Sequence, residues 1–160
     1  MADRRCRRDR TDRSDWAERP RDDRRPAWAE CPNRGTRLQG GGALTDNAKD
    51  SYVAWGSFDV SSTERTVAIP VPFGGTLTDL HVSVATAPGT GASWTFTVDK
   101  NGSATVLTCS ITGVATTCTD ASLLAVVKGD KIDLAVKPFG APALATITWS
   151  VRLLPSKGTH

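Results

Sequence analysis

"SWTFTVDKNGSATVLTCSI", residues 93–111, decides the fold. Trp94, Phe96 and Val98 alternate with Thr95, Thr97 and Asp99, the two-residue period of a strand with one buried face. Asn101-Gly102 follows, a pair favoured in type I′ hairpin turns because both central residues need positive φ. Pairing Lys100 with Ser103 sets Val98 opposite Thr105, Phe96 opposite Leu107 and Trp94 opposite Cys109. Most large apolar groups then share a face, which a one-residue slip would break. The stretch predicts a β-hairpin. Its "NGS" also fits a glycosylation sequon, but the turn accounts for it.

The same reasoning extends along the chain. In "CSITGVATTC" a turn at Gly113-Val114 would pair Thr112 with Ala115 and bring Cys109 directly opposite Cys118. At a non-hydrogen-bonded position their Cα atoms would approach to about 4.5 Å, close enough for a disulfide. A disulfide and a pair of buried thiols both satisfy that placement. Upstream, Val67, Ile69, Val71 and Phe73 alternate in "TVAIPVPF", with Pro70 and Pro72 on the other face, which predicts an edge or bulged strand. Leu80, Val82 and Val84 form the next strand. Downstream, "SLLAVV", a "KGDK" turn, and Ile132, Leu134 and Val136 precede a last strand with Ala145, Ile147, Trp149, Val151 and Leu153 inward. Eight or nine strands and frequent turns with no helical period predict an all-β, antiparallel β-sandwich, a jelly roll. This domain is expected over residues 52–154, with a tail at 155–160.

The front of the chain has a different texture. Residues 1–38 carry 12 Arg against 8 acidic residues and a single Leu. Such a segment buries too little apolar surface to offset its ordering entropy and is expected to be an arm that orders only on binding. The Gly40-Gly41-Gly42 run in residues 39–51 is expected to act as a hinge. Within the arm, Trp16-Ala17-Glu18-Arg19-Pro20 recurs as Trp28-Ala29-Glu30-Cys31-Pro32. Interleaved acids oppose phosphate binding, so a nucleic-acid partner is disfavoured and a protein surface of mixed charge is preferred. Trp16 and Trp28, with Arg19, Arg24 and Arg25, are the candidate anchors, since Trp and Arg are enriched in interface hot spots. A tail with a chance repeat is the alternative.

Catalytic chemistry is not expected. His81, the one histidine inside the domain, alternates with Leu80 and Val82 and should point to solvent. Asp130 and Asp133 flank a turn in a way that hints at calcium, but a solvated turn is the preferred reading. The four cysteines lack zinc spacing, and neither metal nor cofactor is expected. Trp55, Trp94 and Trp149 offer glycan stacking only if exposed, and two of them sit on apolar alternations. No stretch of about 18 apolar residues exists, so no membrane span is expected, and synthesis in the cytoplasm is.

The layout "PFGGTLTDL", the "KNG" hairpin, the cysteine pair and the "KGD" turn resemble β-sandwich domains of bacteriophage virion proteins. The resemblance spans roughly residues 52–153 and leaves the arm outside. It implies a homo-oligomer, with a trimer favoured, serving as a capsid decoration protein, head fibre or fibre tip. A compact domain behind a charged arm, without a fibre shaft, fits decoration of the major capsid protein or another virion protein best. The expected location is the virion. A fibre-tip module for a host-surface glycan, and a nucleic-acid-binding protein, are the alternatives.

Overall fold

A computed structural model describes residues 35–156. Among them are β1 (Thr36–Ala43), β2 (Ser51–Val53), β3 (Val60–Ser61), β4 (Ile69–Pro70), β5 (Gly75–Val84) and β6 (Gly89–Lys100). Then follow β7 (Ser103–Gly113), β8 (Thr117–Asp120), β9 (Leu124–Val126), β10 (Lys131–Phe139) and β11 (Thr146–Pro155). The only helical element among the described residues is a 3-10 turn at Glu64–Thr66, and none of their helices is long and apolar enough to cross a membrane.

The strands form two antiparallel sheets. One is ordered β1-β11-β5-β8, with β9 continuing the β8 edge along β5. The other is ordered β3-β2-β10-β6-β7, with β4 beside β2 along β10. The pairs β6:β7, β5:β8/β9, β2:β10 and β1:β11 nest inside one another. That is one long hairpin rolled into two layers, the connectivity of a jelly roll. Alternation puts Trp94, Phe96 and Val98 against Ile147, Val151 and Leu153 in a shared core, all essentially inaccessible. Truncating one such aromatic, as in Phe96→Ala, removes about 3–5 kcal/mol in typical cores.

Two bulges tune which residues face inward. Asp79, at φ 56°, is an extra residue in β5 opposite β11, so Leu77 and Leu80 both reach the core although they lie three apart. In the β6–β7 hairpin the tip pairs as expected, Lys100 with Ser103, but β7 then gains two residues. Phe96 therefore lies opposite Cys109 and Trp94 opposite Ile111, not Leu107 and Cys109 as the uninterrupted register predicts. A slip of two preserves the faces, which is why the apolar pattern did not reveal it. Thr105 fills the bulge: its hydroxyl donates to the Val98 carbonyl at 2.7 Å and accepts from the Leu107 N–H at 3.3 Å.

Three other expectations are corrected. The strand expected over residues 67–73 reduces to two paired residues at β4, with Val67 and Val71 still buried. Cys109 and Cys118 are joined by a disulfide with Cα atoms 5.8 Å apart, but not within a hairpin. Only the Ala115 N–H to Thr112 carbonyl bond closes the turn; β7 and β8 then diverge into opposite sheets. The bridge therefore ties the edges of the two layers together. The Asp120 carboxylate reinforces it by accepting the Thr108 N–H of β7 at 2.8 Å.

The triglycine is the third correction. It is a paired stretch of β1, not a hinge: Gly40, Gly41 and Gly42 face Trp149, Thr148 and Ile147 of β11. Residues 54–60 cross directly over it, with Gly56 N–H donating to Gln39 O and Gly41 N–H to Ser57 O. A Cβ on Gly40 would overlap the Ala54 carbonyl oxygen, and one on Gly41 the Ile147 carbonyl oxygen. Glycine is needed at positions 40 and 41 for close backbone approach, and Gly42 also holds a positive φ of 156°; none of the three acts as a hinge.

Two outcomes follow. Gly40→Ala and Gly41→Ala should each destabilise by about 2–4 kcal/mol in denaturant unfolding, whereas alanine in a hinge would be neutral or slightly stabilising. Replacing both Cys109 and Cys118 by Ala should cost about 2–3 kcal/mol, from loop entropy returned to the unfolded chain. An unfolding midpoint unmoved by the double substitution would show that the bridge contributes nothing to stability.

Candidate functional site

Asp133 is the central residue of the site. It sits on β10 between Ile132 and Leu134, both inward, so its side chain projects from the outer face of the sheet. Asp99 on β6 is its direct cross-strand partner. Opposed like charges on one face are unfavourable, and open solvent would be their ordinary relief. Solvent is absent here: Asp133 is 0% exposed and Asp99 8%.

The cover comes from the excursion between β2 and β4. β10 pairs with β2 at residues 134–136 and with β4 at 131–132, so Asp133 lies at the gap where the chain leaves and returns. That excursion carries the 3-10 turn, whose Glu64 carbonyl accepts the N–H groups of Val67 and Ala68 at 3.0 Å. The Glu64 side chain reaches toward Gly102 at the hairpin tip, and carboxylate oxygens of Glu64, Asp99 and Asp133 all lie within 4.8 Å of one another. Among the described residues, both oxygens of Asp133 and Oδ1 of Asp99 lack hydrogen-bond partners.

The electrostatics follow from that packing. Burial, then the charges of Glu64 and Asp99, push the Asp133 carboxyl up to about 7. Asp99 is raised by burial and by Glu64, with Lys137 opposing. The Tyr52 phenol, on the adjoining strand, is raised by burial and then by Glu64 and Asp50. Such a cluster can hold a proton or a hard cation. The expectation of a solvated turn at Asp130 and Asp133 is thus overturned for Asp133, because an outer strand face proved to be covered. Asp130 alone serves the turn, accepting from Val127 N–H at 2.9 Å and from the Asn101 side chain at 2.8 Å, which hold its carboxyl low. Asn101 also accepts the Lys131 N–H at 2.9 Å, so the "NGS" asparagine clamps the hairpin tip to the β9–β10 turn.

A second feature lies on the outer face of the other sheet. Gln39, Phe58, His81, Thr148 and Ser150 line an open groove of 360 Å³, with Phe58 77% exposed. His81 is exposed there, as its alternation predicts, and among the described residues no hydrogen bond joins it to a hydroxyl or carboxylate. A second shallow groove beside it adds Arg37 and Asp79, and Asp79 pairs with Arg152 at 2.9 Å in solvent.

The sequence-derived candidates divide unevenly. Trp16, Arg19, Arg24, Arg25 and Trp28 lie outside the described residues. Trp94 and Trp149 are core residues, their indole N–H groups donating to Ala143 O and Ala54 O, and Trp55 is half-buried with its N–H on Ile69 O. Trp94 and Trp149 therefore offer no open stacking face for a sugar. Glu64 and Asp99 were not among the candidates. The available signal was Asp133 together with Ala135, a small apolar residue at the next outward position of the same strand.

No family model and no curated protein matches this chain. Among solved structures it is similar to one described as "Structure of Eiger TNF from S. frugiperda", at 12% identity and a TM-score of 0.39, covering 79% of this chain and 98% of that one.

A pH dependence follows from Asp133. With divalent cations removed, the folded state retains a proton that the unfolded chain releases above about pH 4. Between about pH 4 and the folded value of about 7, the native state binds more protons than the unfolded state. Stability therefore falls as pH rises through that window and levels off above it, by at most about 4 kcal/mol. Thermal denaturation should give a lower midpoint at about pH 8 than at about pH 5, and Asp133→Asn should shrink the difference. Equal midpoints in the wild type would contradict the raised carboxyl.

Proposed function

We propose that this chain is a structural virion protein of a bacteriophage, a capsid decoration or head-fibre protein that docks through its N-terminal segment. The observation that carries the reading is that residues 36–155 supply all the strands of a jelly roll. The paired Trp16 and Trp28 motifs lie before the first of these strands in the sequence. Their Trp and Arg content is the composition of interface anchors, and the mixed charge suits a protein lattice rather than nucleic acid. The resemblance of residues 52–153 to virion β-sandwiches supplies the partner class, the major capsid protein or another virion protein. The jelly roll itself assembles as a homo-oligomer, a trimer by that resemblance. Exposed Val106, Leu123 and Val127, on and beside the β7 and β9 edges, offer it apolar surface.

Co-sedimentation with capsids of its phage tests the docking. The full chain should saturate particles at fixed stoichiometry, and Trp16→Ala with Trp28→Ala should weaken binding at least about tenfold, as expected for two hot-spot residues. Undiminished capsid binding by the double variant would overturn the reading. Binding to duplex DNA that falls steeply with salt would instead favour nucleic acid.

A further inference from the structure

The strongest unassigned feature is the buried carboxylate trio, and two independent observations bear on it. One is proximity: oxygens from Glu64, Asp99 and Asp133 lie within 4.8 Å of one another. The other is lack of satisfaction: Asp133 is 0% exposed, and neither of its oxygens has a hydrogen-bond partner among the described residues. Buried carboxylates are ordinarily hydrogen-bonded, paired with a base or bound to a metal. The ion pair found among the described residues, Arg152 with Asp79, involves none of the three. Among the described residues, no ion pair brings positive charge to the point where the three side chains converge.

The spacing suits a specific class of ligand. Oxygens on opposite sides of a Ca²⁺ bound at about 2.4 Å stand about 4.8 Å apart, so one shell can take all three without moving a strand. Three carboxylates and no nitrogen or sulfur donor select a hard cation over zinc or copper. We propose that Glu64, Asp99 and Asp133 form a binding site for a divalent hard cation, Ca²⁺ in the first place. The ion ties the 3-10 turn of the β2–β4 excursion to β6 and β10, cross-linking a long connection to the centre of its sheet. Glu64, only partly buried, is the ligand nearest solvent and the route of entry.

The test uses the full chain stripped with EDTA at about pH 7.5, followed by calorimetric titration and thermal denaturation with CaCl₂ at about 2 mM. Ca²⁺ should bind at about one ion per chain and raise the melting midpoint. Asp133→Asn and Glu64→Gln should each weaken the affinity at least about tenfold and shrink the shift. In EDTA, Asp133→Asn should melt no lower than the wild type, because it removes an uncompensated buried charge without changing shape. Glu64→Gln, on a turn outside the strands, keeps the test decisive if the strand variant misfolds. Two results would overturn the proposal: no shift with Ca²⁺, Mg²⁺ or Mn²⁺, which would leave a shared proton as the relief, or a shift that survives both substitutions.

Discussion

β10 is buried on both faces, and most of the molecule's organisation answers to that constraint. Its inward residues Ile132, Leu134 and Val136 meet the opposite sheet, while outward Asp133 and Ala135 are covered as well. An antiparallel sandwich ordinarily leaves one face of each sheet wet. Here the chain between β2 and β4 is spent on covering that face. The same excursion crosses β1, where the Ala54 carbonyl approaches so closely that only glycine fits at position 40. Cover, triglycine and carboxylate cluster are three results of one crossing.

Much of the fold was legible because the strands obey a simple period. Trp94, Phe96 and Val98, and Ile147, Trp149 and Val151, announce their faces without help from tertiary context. What stayed hidden was of two kinds. Residues inserted in steps of two leave every side chain on its own face, so the slip in β7 was silent in the hydrophobic pattern. Glycine is ambiguous: flexible where nothing surrounds it and compact where a neighbour needs the space, and three in a row carry no mark of which applies. Gly40 to Gly42 belong to the second case. The cluster was hidden for a related reason, since alternation puts Asp133 on the outer face but cannot say whether that face is wet.

The disulfide shows how the right residues can be chosen for an incomplete reason. Counting across a turn sets Cys109 opposite Cys118 and leaves a disulfide and buried thiols both open; the two are joined, yet the strands that carry them part into separate sheets. At the edge of the sandwich, where among the described residues neither β7 nor β8 has a further strand beside it, the bridge and the Asp120 to Thr108 bond hold the layers together. Burial works to raise the Asp120 carboxyl, but N–H donors from Thr108 and Ser122, with the Ser122 hydroxyl, hold it below the usual range. It is the opposite outcome to Asp133, which is buried more deeply, faces the charges of Glu64 and Asp99, and lacks donors among the described residues.

The pairing of β1 with β11 has a mechanical side. Thr36 lies beside Leu153 and Ala43 beside Thr146, so the chain enters the domain alongside the strand by which it leaves. Tension applied at Gly35 and resisted by the body of the sandwich acts along β1, and the eight register positions shared with β11 resist it together in shear. Tension applied between Gly35 and Ser156 would open the same ladder one pair at a time from its end. In the docking proposed above, through the N-terminal segment, the load acts in the first direction.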